Sequence, residues 1–338
     1  MNVMVNGIGN IGSTVLAVLN RFKTILNINH IYALKNNVVP WNAVDLLHFS
    51  EQGITICTPE GQLGYTALGD VIGDIDYIFD CTANTMGLRN RPWYDSLPNL
   101  KGCVTQGSEK GFGIPYMSGI NDDAIHGQKF AQVVSCNTHS LAAILSAFCG
   151  GADLPNLHQA DFVVVRRSED IGQHQRLVSA NVVSRHLSET IGTHHAIDVN
   201  DLFATRHLTP NLTSSDVTTP SQLMHAVRFN IELNKPNQKH PCELIAAHPM
   251  LAGTHKFDSN VIFEQGRRYG FQGRLYSHAI VVDNNLLLET QRIQGWAFIP
   301  QEGCTILSTI HAYLLQTKHS HTQHVIHQLQ QSLLRARW

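Results

Sequence analysis

The chain has 338 residues, of which 43% are hydrophobic and 15% charged, and a formal net charge of −2. This is a globular composition on a length that suits two domains, and it excludes the strong field expected of a nucleic-acid or anionic-membrane binder. No apolar run approaches about 18 residues, so no membrane span is expected.

The first element is a short apolar strand at Val3-Met4-Val5, followed at once by Gly7-Ile8-Gly9-Asn10-Ile11-Gly12. Residues 2–8 thus already read as a strand and its turn, so no signal peptide is expected. Ser13 to Phe22 carries Val15, Leu16, Val18 and Leu19 at helical spacing, and Ile28 to Leu34 reads as a second strand. This strand, glycine turn, helix and strand form a βαβ unit, the context in which the glycine pattern gains meaning. Ile75 to Thr82, Gly102 to Gly107 and Phe130 to Val134 read as later strands. Strands alternating with helical stretches predict a doubly wound, largely parallel sheet. After about residue 157 the character changes. Asp161 to Arg167, Leu223 to Leu233, Ser277 to Val282 and Asn285 to Gln291 read as longer strands. They predict an α+β domain with a mixed or antiparallel sheet. Pro210 to Pro220 reads as a Ser/Thr-rich loop, and residues 305–334 read as helical with Ile306, Leu307, Ile310, Leu314 and Leu315 on one face.

Chemistry concentrates at few places. Gly7 permits a tight turn, Gly9 lets the backbone approach a pyrophosphate, and Gly12 lets the helix pack closely, so a dinucleotide is expected on the helix N-terminus with Asn10 and Ile11. An NAD site ordinarily places an acid after the second strand, to hold the adenine ribose. Here no Asp or Glu occurs from Ile28 to Ala43, and Lys35 stands ready for a 2′-phosphate, which favours NADP or dual use of NADP and NAD. Cys136 follows the strand Gln132-Val133-Val134 and precedes the apolar run Leu141 to Leu145. A thiol at a helix N-terminus feels the positive end of the helix dipole and is held toward the thiolate. Asn137 and the turn's N–H groups are candidates to support an oxyanion. His225 interrupts an apolar alternation; such a histidine is ordinarily a hydrogen-bonded core residue, but beside a nucleophilic thiol it is the candidate to accept a proton and polarise an aldehyde. Arg166-Arg167 at a strand end and His194-His195 in a loop suit an anion. A nucleophilic cysteine with a nicotinamide implies oxidation of an aldehyde through a thioester. The seven cysteines are odd in number and include no C-x-x-C pair, as expected of reduced thiols in a cytoplasmic protein. Of the twenty histidines, His255, His319, His321 and His324 lack the tight spacing of a zinc site, and no metal is expected.

Together these residues resemble the archaeal-type (class II) glyceraldehyde-3-phosphate dehydrogenases over about residues 2 to 305. The likeness is carried by Val5 to Gly12, Asp80 to Asn84 with Gly87, Asn90 to Tyr94, Gln106-Gly107-Ser108-Glu109-Lys110, and most specifically Val134-Ser135-Cys136-Asn137-Thr138. Arg166-Arg167, His194-His195 with Asp198, and Leu223-Met224-His225 are also similar, and Gln294 falls where the family has a glutamine near the nicotinamide. The resemblance implies a dinucleotide-binding Rossmann domain over 1–137 joined by a terminal helix from 305–338, a catalytic domain over 138–304, and a homotetramer. It implies Gly7, Gly9, Asn10, Ile11, Gly12, Lys35, Gly107, Arg167 and Gln294 at the cofactor. Ser135, Asn137, Arg166, His194 and His195 fall at the substrate, and Cys136 with His225 at the reacting carbon. The implied reaction is phosphorylating oxidation of glyceraldehyde 3-phosphate to 1,3-bisphosphoglycerate, with inorganic phosphate as the second partner. The chain departs from the family at Val227, where a second histidine is usual, at Ile293-Gln294-Gly295-Trp296, where His-Gln-Glu is usual, and at Thr138-His139-Ser140. Those changes leave open another phosphorylated aldehyde, and, in a different class, a silent cofactor-binding protein.

Overall fold

The computed structural model describes residues 1–107, 109–169, 178–271 and 273–338. Ser108, part of the Gln106–Lys110 segment singled out above, lies outside them. The fold is α/β, and the chain divides into two compact units: Met1–Ser118 with Asp122–Val133 and Ile306–His327, and Gly119–Asn121 with Val134–Thr305 and Gln328–Trp338.

The first unit holds eight strands: β1 (Asn2–Asn6), β2 (His30–Leu34), β3 (Thr55–Thr58), β4 (Thr66–Ala67), β5 (Tyr77–Asp80), β6 (Gly102–Gln106), β7 (Ile114–Tyr116) and β8 (Phe130–Val133). All pair in parallel, in the order β4-β3-β2-β1-β5-β6-β8-β7. Parallel strands are covered on both faces and read as continuous apolar runs, and Val3, Met4 and Val5 are accordingly fully buried. The helices are α1 (Asn10–Arg21), α2 (Ala43–Glu51), α3 (Leu68–Val71) and α4 (Met86–Asp95). The strand order reverses between β1 and β5, the place where doubly wound sheets bind ligands at their carboxyl ends. Behind that edge, Asp80 anchors the loop. It accepts from the Tyr94 hydroxyl, from Asn90 Nδ2 at 3.1 Å and from the Thr82 N–H at 2.9 Å. Buried Glu109 accepts from the N–H groups of Thr85 and Leu88, setting a carboxylate against the positive end of α4.

The second unit opens with α5 (Cys136–Phe148), then β9 (Leu157–Arg167), β10 (Val182–Val183), α6 (His194–Ala204), β11 (Leu212–Thr219) and β12 (His225–Leu233). It continues through α7 (Pro241–Ala247), β13 (Leu251–Thr254), α8 (Ser259–Tyr269), β14 (Ala279–Val282), β15 (Leu287–Glu289), β16 (Arg292–Ile299) and α9 (Gln301–Cys304). The sheet is mixed, in the order β10-β11-β9-β12-β16-β14-β13 with β15 on β16. The expected loop at 210–220 is instead β11, parallel to β9 from Leu212 opposite Ala160 to Thr219 opposite Arg167. Its serines and threonines are polar, but a β-branched alternation fits a half-buried strand, and pairing outweighs loop-like composition.

The helical stretch expected over 305–334 is two helices, α10 (Ile306–Gln316) and α11 (Thr322–Leu333). Within the first unit α10 is held by its own polar groups: Ser118 Oγ meets His311 Nδ1 at 2.7 Å, and the Tyr313 hydroxyl donates to the Leu26 carbonyl at 2.8 Å. No helix among the described residues is long and apolar enough to cross a membrane.

Candidate active site

Cys136 is the first residue of α5, and Ser135 caps that helix, its Oγ accepting the Thr138 N–H at 3.3 Å. The sequence builds this turn from a β-branched strand, a capping serine and an apolar helix, so the thiol stands where the helix dipole is most positive. Ser135 therefore spends its hydroxyl on the cap. Asn137 is buried at the next position, its Oδ1 without a hydrogen-bond partner.

Three elements of the second unit converge on the thiol. His225 opens β12, and the residue before it, Met224, lies in the left-handed region at φ 38°. A non-glycine residue in that region is strained and is held by its surroundings. From β9, the Arg167 N–H donates to His225 Nδ1 at 2.9 Å. That bond occupies the Nδ1 lone pair, so the proton of the neutral ring resides on Nε2. The side-chain amide of Gln301, on α9, lies 2.7 Å from His225 Nε2 and 3.7 Å from Cys136 Sγ. A carboxamide can present either end after a half-turn, so it suits a donor or an acceptor there.

Electrostatics follow this geometry. Hydrogen bonds from Cys304 and His225, together with the nearby positive charge of Arg167, hold the Cys136 thiol well below the usual range despite its burial. Burial lowers His225, and Arg167 and Arg166 reinforce the effect against the pull of Cys136. The imidazole is thus neutral near pH 7. Burial drives other thiols the opposite way: Cys57 to about 11, Cys149 to about 12, and Cys81 and Cys103 also upward. Beneath α5, the rings of His139 and His278 pack edge to face at 4.7 Å. His139 Nδ1 meets the Ser135 carbonyl at 3.0 Å and His278 Nδ1 the Cys304 carbonyl at 2.6 Å. Burial lowers both rings, His139 to about 4.

A second cluster uses the opposite face of β9. Successive strand residues point to opposite faces, so Arg167 serves the thiol while Arg166 reaches Asp216 Oδ1 on β11 at 3.9 Å. His195 Nε2 lies 3.3 Å from Asp216 Oδ2, and the His194 and His195 rings stack at 3.9 Å. Burial lowers His194 to about 4. Burial works against the Asp216 charge, but hydrogen bonds from His195 and Ser184 and the nearby Arg166 hold its carboxyl below the usual range. Donor atoms of His194, His195 and Asp216 lie within 4.8 Å of one another. That spacing suits a metal ion, but the Arg166 guanidinium places a fixed positive charge at the same carboxylate. The arrangement fits an anion better, with Asp216 as the buried counter-ion that orients Arg166 and His195. Arg166 also lowers both His194 and His225, so the two clusters share one field.

The glycine turn of the first unit is close-packed at Gly7 and Gly12 and open at Gly9. Gly7 adopts φ 95°, and a Cβ there would stand 2.7 Å from the Cys81 carbonyl oxygen. A Cβ on Gly12 would stand 1.9 Å from the Gly7 carbonyl, whereas a Cβ on Gly9 would meet nothing within 4 Å. Gly9 caps α1 with no side-chain hydrogen bond, which leaves the helix N-terminus open to an anion. Lys35 follows β2, and no carboxylate pairs with its ammonium among the described residues. Gly107, at φ 74°, follows β6 on the same carboxyl edge.

No protein-family model matches the chain. Among curated proteins it is similar to glyceraldehyde-3-phosphate dehydrogenase of Methanoregula boonei, 28% identical over 265 residues, covering 74% of this chain and 72% of that protein. It is also similar to the enzymes of that name from Saccharolobus solfataricus, 28% identical with 71% and 68% covered, and Saccharolobus islandicus, 23% identical with 94% and 93% covered. Over most of its length the chain is thus similar to glyceraldehyde-3-phosphate dehydrogenases of archaea.

Two positions expected near the chemistry of such a dehydrogenase stand apart from the thiol. Gln294 lies on β16 opposite Asn230, five residues from the His225–Ile299 pair, and its Oε1 accepts from Arg228 at 2.6 Å. Trp296, at one of the departures from the family pattern, is 38% exposed and pairs with Arg228, about 10 Å along the strand from His225. Val227 is core, opposite Val164 and Ala297. Conversely, Gln301, Cys304 and Asp216 join these clusters without having stood out in the sequence. Period-2 alternation in 212–219 was the available signal for Asp216; nothing local marks Gln301 or Cys304, which approach Cys136 from more than 160 residues away.

Proposed function

We propose that the protein is an NAD(P)-dependent phosphorylating dehydrogenase of glyceraldehyde 3-phosphate acting through Cys136. The observation that carries this reading is the thiol itself: held toward the thiolate at the start of α5 and in contact with His225 and Gln301. The names of the archaeal homologues supply the substrate class.

The Cys136 thiolate attacks the aldehyde carbon, forming the C–S bond, and the carbonyl electron pair moves to oxygen. His225, with its proton on Nε2, donates to that oxyanion. The expectation that His225 accepts the hydroxyl proton is thereby modified, because the Arg167 N–H already occupies Nδ1 and the oxyanion adduct needs no further deprotonation. A nicotinamide dinucleotide, when bound at the glycine turn, supplies the hydride acceptor, and Gly7, Gly9, Asn10, Ile11, Gly12 and Gly107 are the residues that would hold it, with Lys35 at a 2′-phosphate. The adduct becomes a thioester on Cys136. Inorganic phosphate then attacks the acyl carbon, the C–S bond breaks, and the His225 Nε2–H receives the departing thiolate. Arg166, His194 and His195 hold the substrate phosphate, and Arg167 lies nearest the acyl group.

A second reading keeps the mechanism but changes the aldehyde. Beside Arg167 and Gln301 a narrow cleft is lined by Met224, Phe263 and Leu275 together with Arg274, and an apolar lining with a cation at its edge favours an anionic aldehyde with an apolar stem. The test is nicotinamide reduction with glyceraldehyde 3-phosphate, with and without phosphate, against a panel of aldehydes. Cys136→Ser is expected to cut turnover by about 10³-fold or more while NADP still binds. Turnover surviving in that variant would sink the thioester mechanism, and glyceraldehyde 3-phosphate ranking among the poorest substrates would favour the second reading.

A further inference from the structure

Met224, the residue before His225, keeps its left-handed φ of 38° only because of what packs on it. It is buried in an apolar cluster with Ala252 of β13, Ile262 of α8, Leu275, Ile280 of β14 and Trp338. It also lines the narrow cleft beside Arg167 and Gln301, so it stands between that cluster and the thiol. Trp338 reaches the cluster along a short extended segment that adds to the outer edge of β13, which borders its sheet. The Gly253 N–H donates to the Ala336 carbonyl at 2.9 Å, and the Trp338 N–H donates to the Gly253 carbonyl at 3.0 Å. Thr254 Oγ1 donates to the Trp338 backbone oxygen at 2.7 Å. Such pairing satisfies backbone groups that an edge strand leaves open. Between these bonds Arg337 grips the buried carboxylate of Asp283 at 3.0 and 3.3 Å and donates to His255 Nε2. Trp338 is itself buried, and its indole Nε1 has no hydrogen-bond partner. The ring is therefore seated for its apolar bulk and not for a polar contact.

We propose that Trp338 is a positioning residue for His225, acting through Met224. The indole fills the cluster behind Met224 and so holds the strained backbone that opens β12, where the Arg167 N–H meets His225 Nδ1. A close-packed interior transmits the loss of a ring to its neighbours. Without the indole, Met224 relaxes toward an ordinary φ and the imidazole leaves the position from which Nε2 faces the reacting carbon. The effect on turnover rests on the dehydrogenase reading; the effect on the placement of His225 does not.

The test compares Trp338→Ala, Trp338→Phe and Asp283→Asn in the full chain, by steady-state kinetics and by alkylation of Cys136 with iodoacetamide at pH 7, well below the Tm of each variant. Trp338→Ala is expected to lower kcat by about ten- to hundredfold, the scale of a misplaced catalytic group, with KM for aldehyde and cofactor within about twofold. It should also slow alkylation by about three- to tenfold, as the groups that hold the thiolate shift. Trp338→Phe keeps a ring and removes the unpaired donor, and should recover most of both. Asp283→Asn loosens the seat without opening a void; it should reproduce the alanine variant in weaker form, and it decides the outcome where Trp338→Ala does not fold. A fall in Tm with kcat and alkylation unchanged, a rise in KM at constant kcat, or equal losses in the alanine and phenylalanine variants would each overturn the proposal. Alkylation needs no aldehyde, so failure to turn over glyceraldehyde 3-phosphate would sink the dehydrogenase reading and leave the alkylation rates to judge Trp338.

Discussion

The two polar clusters flanking β9 are built from similar residues but to opposite ends. At the thiol, the histidine is committed at both ring nitrogens, Nδ1 to the Arg167 N–H and Nε2 to Gln301, while Asn137 Oδ1 and one end of the Gln301 amide lack partners. At the second cluster, His195 Nδ1 and Nε2 and Asp216 Oδ2 are buried without hydrogen bonds beyond the 3.3 Å approach of His195 to Asp216. A reacting centre gains from donors fixed before the reaction begins. A receiving centre keeps bonding capacity for its ligand, since a buried polar atom left unpaired is costly until something pairs with it.

Substitutions can break this contrast. The largest effect after loss of the thiol is expected at His225. His225→Ala should lower kcat by about 10² to 10³-fold, the scale of one lost oxyanion donor, with little change in KM. His225→Gln, which can still donate an N–H, should retain more. Equal loss in both variants would show that donation is not what His225 contributes. At the receiving cluster the pattern should invert. Arg166→Ala should raise KM for the phosphorylated aldehyde by about 10 to 100-fold, the worth of a charge-assisted bond, and Asp216→Asn by about tenfold through misplacement of Arg166 and His195. Steady-state kinetics in which kcat falls and KM holds would erase the distinction between the clusters.

The pH dependence sharpens the contrast further. Because Cys136 is held as a thiolate, inactivation by iodoacetamide should stay nearly level between pH 8 and pH 6, where an ordinary thiol near 8.5 would slow about tenfold per unit. Because His225 is lowered by burial, any loss of kcat from its protonation should set in at lower pH than for a free imidazole. The smallest expected effect lies in the other unit. Lys35→Ala should raise KM for NADP by about five- to tenfold and leave KM for NAD within about twofold, as expected for one half-buried charge on a 2′-phosphate.

Much of this was legible in the chain, for identifiable reasons. β1 and the glycine turn are local: an apolar run, three glycines and an amphipathic helix fix each other within twenty residues. Cys136 was legible because its cap, strand and helix are its immediate neighbours. His225 was legible only as a partner for a thiol already found. Gln301 and Cys304 were not, because their chemistry arises from a chain reversal that brings α9 to α5, and no periodicity encodes that. Asp216 was hidden by composition, a strand rich in serine and threonine passing for a loop. Trp296 stood out only as a departure from the family pattern, and its register opposite Arg228 places it along the strand away from the thiol.

The paired rings of His139 and His278 give the helix that bears the thiol a sensitivity to acid. In the unfolded chain such imidazoles titrate near 6.5, whereas burial holds His139 down at about 4 and lowers His278 as well. The unfolded state therefore binds more protons across that interval, and folding stability is lost as pH falls through it. The protons enter beneath α5, beside the carbonyls of Ser135 and Cys304. The two rings beneath the nucleophile thus make folding stability decline in acid even while they stay neutral in the folded state.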